Sequence, residues 1–310
     1  MINFRYHVVS LVAVLVALGV GLVMGAGLLS SGTGSAAAVE VVDLQAETAL
    51  LREKVADAED TLAFSDGYGA AVQPGEISGS LDGRSVVVVA LPGADDATVG
   101  ATREAVGAAG AQITGTIVVA PEWTDAGSEA VLDSLAAQLV TSGTDLDEDA
   151  DGYQRGAVVL ASSVLEPAGG ADASPEAIDT TPAAFAEADL VTVQEPLRGP
   201  ADLAVLVAGG PVPDDGEAGR RLAALAEMAV AFDAAGSGSV VAGPPSSARA
   251  LGVVEAVRSD PDLVQLVSTV DMLQTTAGRT VAVLALAEQA AGGVGSYGGV
   301  GTVDGARPQG

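Results

Sequence analysis

Hydrophobic and polar positions along this chain fall into three textures. The first is an apolar run from Val8 to Leu29, interrupted only by Ser10. At about 1.5 Å per residue it makes about 33 Å of helix, enough to cross the hydrocarbon core of a bilayer. It predicts a transmembrane anchor over residues 8–29 behind a short N-terminus, residues 1–7. Ala13, Ala17, Gly21 and Gly25 recur every four residues within it and share one face. Such a stripe of small side chains lets two membrane helices approach closely and form a homodimer. The second texture follows a Ser/Gly/Ala linker, residues 30–38. Val41, Leu44, Thr48, Leu51, Val55, Ala58 and Leu62 alternate spacings of three and four, with charged residues between them. This is a heptad seam, and it predicts a short coiled-coil stalk over residues 39–64. The same spacing suits a lone amphipathic helix packed on its own domain.

The third texture starts at residue 84, after a connector over residues 65–83. Ser85–Leu91 is a continuous apolar run, as expected of a strand covered on both faces. Helix is predicted for 95–109, strand for 112–120 and helix for 128–141. An acidic loop, 143–152, leads into an ambiguous segment at 153–165 that favours helix. Further helices are predicted at 183–188, 217–235 and 276–291, and further strands at 190–194, 203–208, 239–242 and 264–270. This alternation implies an α/β domain over residues 84–291, a Rossmann-like, doubly wound and mostly parallel sheet. The Gly-rich residues 292–310 are predicted to be a flexible tail.

Charge sets the expected orientation. Arg5 precedes the apolar run, and the first charges after it are Glu40, Asp43 and Glu47. Basic residues stay in the cytoplasm, so the N-terminus is expected inside and the body outside a single-pass cell-membrane protein. A cleaved signal peptide would export the body as well, but its apolar region is usually only about 7–15 residues long. The net charge of −28 opposes binding to nucleic acid, because attraction to phosphate is reversed.

Residue types narrow the chemistry further. The chain has no cysteine, and its one histidine is His7, ahead of the anchor. The exported body therefore has neither a Ser-His-Asp triad nor a thiolate or histidine metal site. The first strand–helix turn, Pro92-Gly93-Ala94-Asp95-Asp96, lacks the spaced glycines of a dinucleotide loop, and its aspartates would repel phosphate. No catalytic residue and no cofactor is predicted. The weak metal candidate is Asp147, Asp149 and Asp151 before Gly152, the opening of a calcium loop. The position for its closing glutamate holds Val158. Trp123, with Glu122, lies just beyond the second strand and reads either as a partner contact or as a capped core edge.

The opening Met1-Ile2-Asn3-Phe4-Arg5-Tyr6-His7, then Ser10–Val14, Ala17–Gly21 and Gly25, resembles the MctB, or copper-transporter, family of envelope proteins. The likeness continues in Asp202–Val207 with Gly209-Gly210, in Ser268-Thr269-Val270-Asp271, and in Ala277-Gly278, Leu284–Ala287 and Tyr297-Gly298. The resemblance implies one of two roles. One is an outer-envelope pore for copper efflux and homeostasis. The other, held by SteB-like relatives, is an anchored regulator in a complex controlling cell-wall hydrolases during cell separation. The residues bear on this choice. Copper(I) favours soft thiolate and thioether ligands, and imidazole also serves copper. The body offers only Met228 and Met272. One apolar helix makes no channel, and alternating strands of a membrane barrel are not apparent. The expectation is a non-enzymatic, membrane-anchored protein that binds other envelope proteins.

Overall fold

The computed structural model describes residues 34–141, 144, 146–147, 149–166 and 175–309, together with positions 14 and 17. Apart from positions 14 and 17, the expected anchor over 8–29, with Ala13, Gly21 and Gly25, lies outside the described residues; Ala17 is helical and exposed. Among the described residues no helix is long and apolar enough to cross a membrane. The chain divides into two units, Met1–Ser65 and Asp66–Gly310.

The first described element is helix α1, Gly34–Ile77. It corrects two expected boundaries. Residues 34–38 are helical and not linker, because Ala36-Ala37-Ala38 carries the highest helix propensity of any residue type. Much of the expected connector, 66–77, is also helical. Pro74 sits in the last turn, and its carbonyl accepts a closing bond from Ser78 N at 3.1 Å. In the first unit Leu44, Leu51, Val55 and Leu62 are each about half exposed.

In the second unit a seven-stranded sheet runs in the order β3-β2-β1-β4-β5-β6-β7. The strands are β1 Ser85–Ala90, β2 Gln112–Val119, β3 Val191–Val193, β4 Leu203–Val207, β5 Ser239–Ala242, β6 Ser268–Val270 and β7 Ser296–Tyr297. Every pairing is parallel except β2 with β3, where Val119 lies opposite Val191. The chain builds outward from β1 to β3, returns to β4 beside β1, and then builds the other way.

The helices between the strands are α2 Asp96–Ala108, α3 Glu129–Leu139, α4 Gly152–Val164, α5 Pro175–Glu187, α6 Ala218–Ala235, α7 Val253–Ser259 and α8 Thr276–Ala290. They cover both faces, and the two central strands show it residue by residue. Val86, Val88 and Ala90 of β1 and Leu203, Val205 and Val207 of β4 enter one core with Val99, Val106, Val283 and Leu286. Val87, Val89, Ala204 and Leu206 enter the other, with Leu132, Leu160, Leu225 and Phe232. A strand's side chains alternate between faces, so a run such as SVVVVA is stable only with a core on each side. Arg84 and Asp202 fix the starts of these strands. Their ion pair spans 2.9 Å, and the Asp202 carboxylate also accepts Ser85 N at 2.7 Å.

Two further expectations change. The strand expected at 264–270 is a single turn of 3-10 helix, Leu263–Gln265, followed by the short β6. The Asp260 carboxylate accepts the amides of Asp262 and Leu263 and thereby starts that turn. The expected flexible tail is ordered. Residues 296–297 form β7, and a buried ion pair holds the segment that follows. Arg258 Nη1 lies 3.1 Å from Asp271 Oδ2, with side-chain exposures of 5% and 0%. Arg258 also donates to the carbonyls of Tyr297 and Val300, at 2.8 and 2.9 Å. Asp271 accepts the amides of Gly299 and Val300. Both charges are therefore satisfied by backbone from the C-terminal segment, and its glycines let the chain turn tightly around them.

Removing one partner of a buried pair strands the other charge, at a cost of about 3–5 kcal/mol. We predict a loss of that size for Arg258→Met in urea unfolding, with residues 292–309 becoming the first site of protease cleavage. A change below about 1 kcal/mol, the size of a surface pair, would contradict the latch.

Candidate functional site

In an open α/β sheet, ligands gather where the winding reverses, outside the carboxyl ends of the two central strands. Here that place lies between β1 and β4, and the protein's own backbone occupies it. Gly93, with φ +79°, follows β1, and Gly209 follows β4. A Cβ built on Gly209 would lie 2.4 Å from the Gly93 carbonyl carbon, so the two turns are in direct backbone contact. The N-terminus of α2 is taken by Asp95, whose carboxylate accepts the amide and hydroxyl of Thr98, each at 2.9 Å. Those bonds hold the Asp95 carboxyl below its ordinary pKa. A helix start capped by its own anion does not receive a phosphate.

The neighbouring loop after β2 is equally tied down. Trp123 is fully buried and stacks on Phe185, ring centroids 5.5 Å apart. Tyr153 donates to the Asp125 carbonyl at 2.7 Å, and Arg220 donates to Tyr153 Oη and to the Thr124 carbonyl. Of the two readings of Trp123, the structure supports the core edge: a side chain with no exposure cannot meet a partner. Glu122 beside it is exposed.

Two aspartates of the acidic loop are engaged by backbone amides. Asp151 is the N-cap of α4, accepting Gln154 N at 2.9 Å, and Asp147 accepts Asp149 N at 3.0 Å. Among the described residues no group of three or more His, Cys, Asp or Glu side chains could hold a metal ion. Capping explains the sequence pattern: carboxylates favour the first turn of a helix. An open groove of about 420 Å³ beside this loop is lined by Glu129, Asp133, Asp151 and Arg155, of which Asp133 and Arg155 form an ion pair. Another of similar size lies along α5 and the edge strand β3, walled by Ile178, Pro182, Val191, Val193 and Leu197.

The potential soft ligands are also separated by function. Met228 is fully buried in one core. Met272 sits at a left-handed turn, φ +67°, with its methyl group against Gly299.

The comparisons with known proteins bear on the same question. The family described as copper transport outer membrane protein, MctB, matches residues 1–308. Relatives named copper transporter MctB come from Mycobacterium tuberculosis (strain H37Rv) and Mycobacterium bovis. Each is 32% identical over 304 residues, covering 96% of both chains. A Mycobacterium leprae relative of the same name is 31% identical over 313 residues, again covering 96% of both. The chain belongs to the MctB family. As an MctB family member it presents a closed switch point and, from residue 8 onward, neither cysteine nor histidine.

Sequence reasoning missed one titratable group. Glu227 on α6 has a buried carboxylate oxygen with no hydrogen-bond partner, and burial, reinforced by the nearby Asp151 charge, raises its pKa to about 7. Nothing in its sequence context marks it, because its surroundings arise only when α4 packs on α6. A carboxyl with a folded pKa above its unfolded value retains its proton in the folded state, so stability is greatest below the unfolded pKa. It falls as pH rises toward about 7. We predict that Glu227→Gln flattens the decline in thermal stability between pH 5 and pH 8, with the largest gain at pH 8. An unchanged pH profile would contradict the assignment. Gly209→Ala should lose about 1–3 kcal/mol in the same measurement, because its methyl group would enter the Gly93 backbone.

Proposed function

We propose that this MctB family member is a single-pass envelope protein, non-enzymatic, that serves copper homeostasis by binding other envelope proteins and not through a pore or a copper site of its own. The family is described as copper transport outer membrane proteins, which supports an envelope role tied to copper. The anchor rests on the apolar run Val8–Leu29, and the outside location of the body on the charge distribution around it.

The observation that carries the mechanism is the mismatch between a copper role and the available ligands. Past the anchor the only soft ligands are two methionines, one of them sealed in a core. Carboxylates, which the body has in abundance, are hard ligands suited to magnesium or calcium more than to copper(I). What the body does present is surface. The α1 seam leaves Leu44, Leu51, Val55 and Leu62 half exposed, and Leu50 and Phe64 are exposed off that seam. Exposed apolar side chains in a row mark interaction sites.

The SteB-like alternative, a regulator of cell-wall hydrolases, draws on the same anchor and apolar helix. A deletion strain separates the two. The proposal expects copper sensitivity, restored by the wild-type chain. Chained cells with normal copper tolerance would replace it by the hydrolase-regulator reading. The detergent-purified full chain should give no conductance steps in a planar bilayer; single-channel steps would restore a pore.

A further inference from the structure

We propose that the partner of the α1 seam is a second copy of this chain, paired parallel and in register over residues 41–62. The inference rests on the anchored, partner-binding reading above and names the occupant of that surface. Taking Val41, Thr48, Val55 and Leu62 as the first heptad position places Leu44, Leu51 and Ala58 at the fourth. Thr48 suits the seam better than its residue type implies. Its hydroxyl is satisfied by the Leu44 carbonyl at 2.7 Å, within its own helix, which leaves its methyl group to pack.

Charge selects both occupant and orientation. In this register Glu47 and Lys54 occupy the seventh heptad position, and Arg52 and Glu59 the fifth. A parallel, in-register pair sets each seventh position beside the following fifth position of the other helix. Glu47 then faces Arg52 of the second copy, and Lys54 faces Glu59. Both charged contacts are of opposite sign, and each occurs twice by symmetry. The antiparallel pairing of the same seam stacks Leu44 on Leu62, Thr48 on Ala58 and Leu51 on Val55. It sets Lys54 beside Lys54 and Arg52 beside Arg52. Like charges at these flanking positions disfavour that arrangement.

Lys54 is the only lysine in the chain, and between residues 8 and 83 Arg52 and Lys54 are the only basic residues. Among the described residues neither forms an ion pair within the chain. In a chain of net charge −28, the two cations of this stretch stand where a second copy presents carboxylates. A parallel pair is also the geometry that two chains entering one membrane from the same side adopt. Confinement there raises their effective concentration, which a seam weakened by Thr48 and Ala58 requires.

The absence of cysteine makes the test clean. Thr48→Cys, Ala58→Cys and Asp60→Cys are placed singly in the full-length chain in membranes and treated with a short bis-maleimide. The first two seam positions should cross-link to dimers, and Asp60→Cys on the outer face should not. Lys54→Glu in the Ala58→Cys background should remove most of the dimer band, and adding Glu59→Lys should restore it. Cross-linking only when Thr48→Cys and Ala58→Cys chains are mixed would overturn the parallel register. Equal labelling at all three positions, or none, would overturn the dimer. Membrane fractionation of the same samples reports the anchor separately, so a chain that stays in the membrane without cross-linking refutes the pairing alone.

Discussion

Two strands that alternate between opposite cores organise the folded body. β1 and β4 lie side by side at the centre of the sheet, and consecutive residues of each enter different clusters. Neither core can be removed without exposing half of both strands. At roughly 25 cal/mol for each Å² of apolar surface, that double burial outweighs what any surface contact supplies. It also brings the turns after these strands into backbone contact at Gly93 and Gly209, which fills the place where sheets of this kind usually receive a ligand.

The legible parts of the chain were those where one strong local pattern decided the outcome. SVVVVA and LAVLV read as doubly covered strands because nothing but burial on both sides accommodates them. Helix α6 was legible from Leu222, Leu225, Met228, Ala229 and Phe232 along one side. Helix α7 was not, since Val253–Ser259 makes only about two turns, too short for a period to emerge. The C-terminal segment misled for a definite reason: its glycines read as flexibility, whereas Arg258 and Asp271, far away in sequence, order it. Trp123 and Glu227 show the same limit. Whether a side chain after a strand or on a helix faces solvent, a core or an unpaired pocket depends on elements that local sequence does not contain.

Candidate chemistry behaved differently from candidate surface. In the acidic loop Asp147 and Asp151 accept backbone amides, as carboxylates near a helix start commonly do. The heptad spacing left two readings open, a seam for a partner or a face packed on the body. Within the first unit Leu44, Leu51, Val55 and Leu62 are each about half exposed, and the proposed pairing uses that face. A family associated with copper is thereby represented by a body with few soft ligands.

The central claim is that this body acts through contacts and does not itself carry the metal. Copper(I) competition between a chromophoric chelator and the protein lacking residues 1–33 tests it most directly, since that form retains α1 and the whole body but neither His7 nor Met24. The account predicts that the chelator keeps its copper throughout the titration. Stoichiometric transfer of copper to the protein would contradict it.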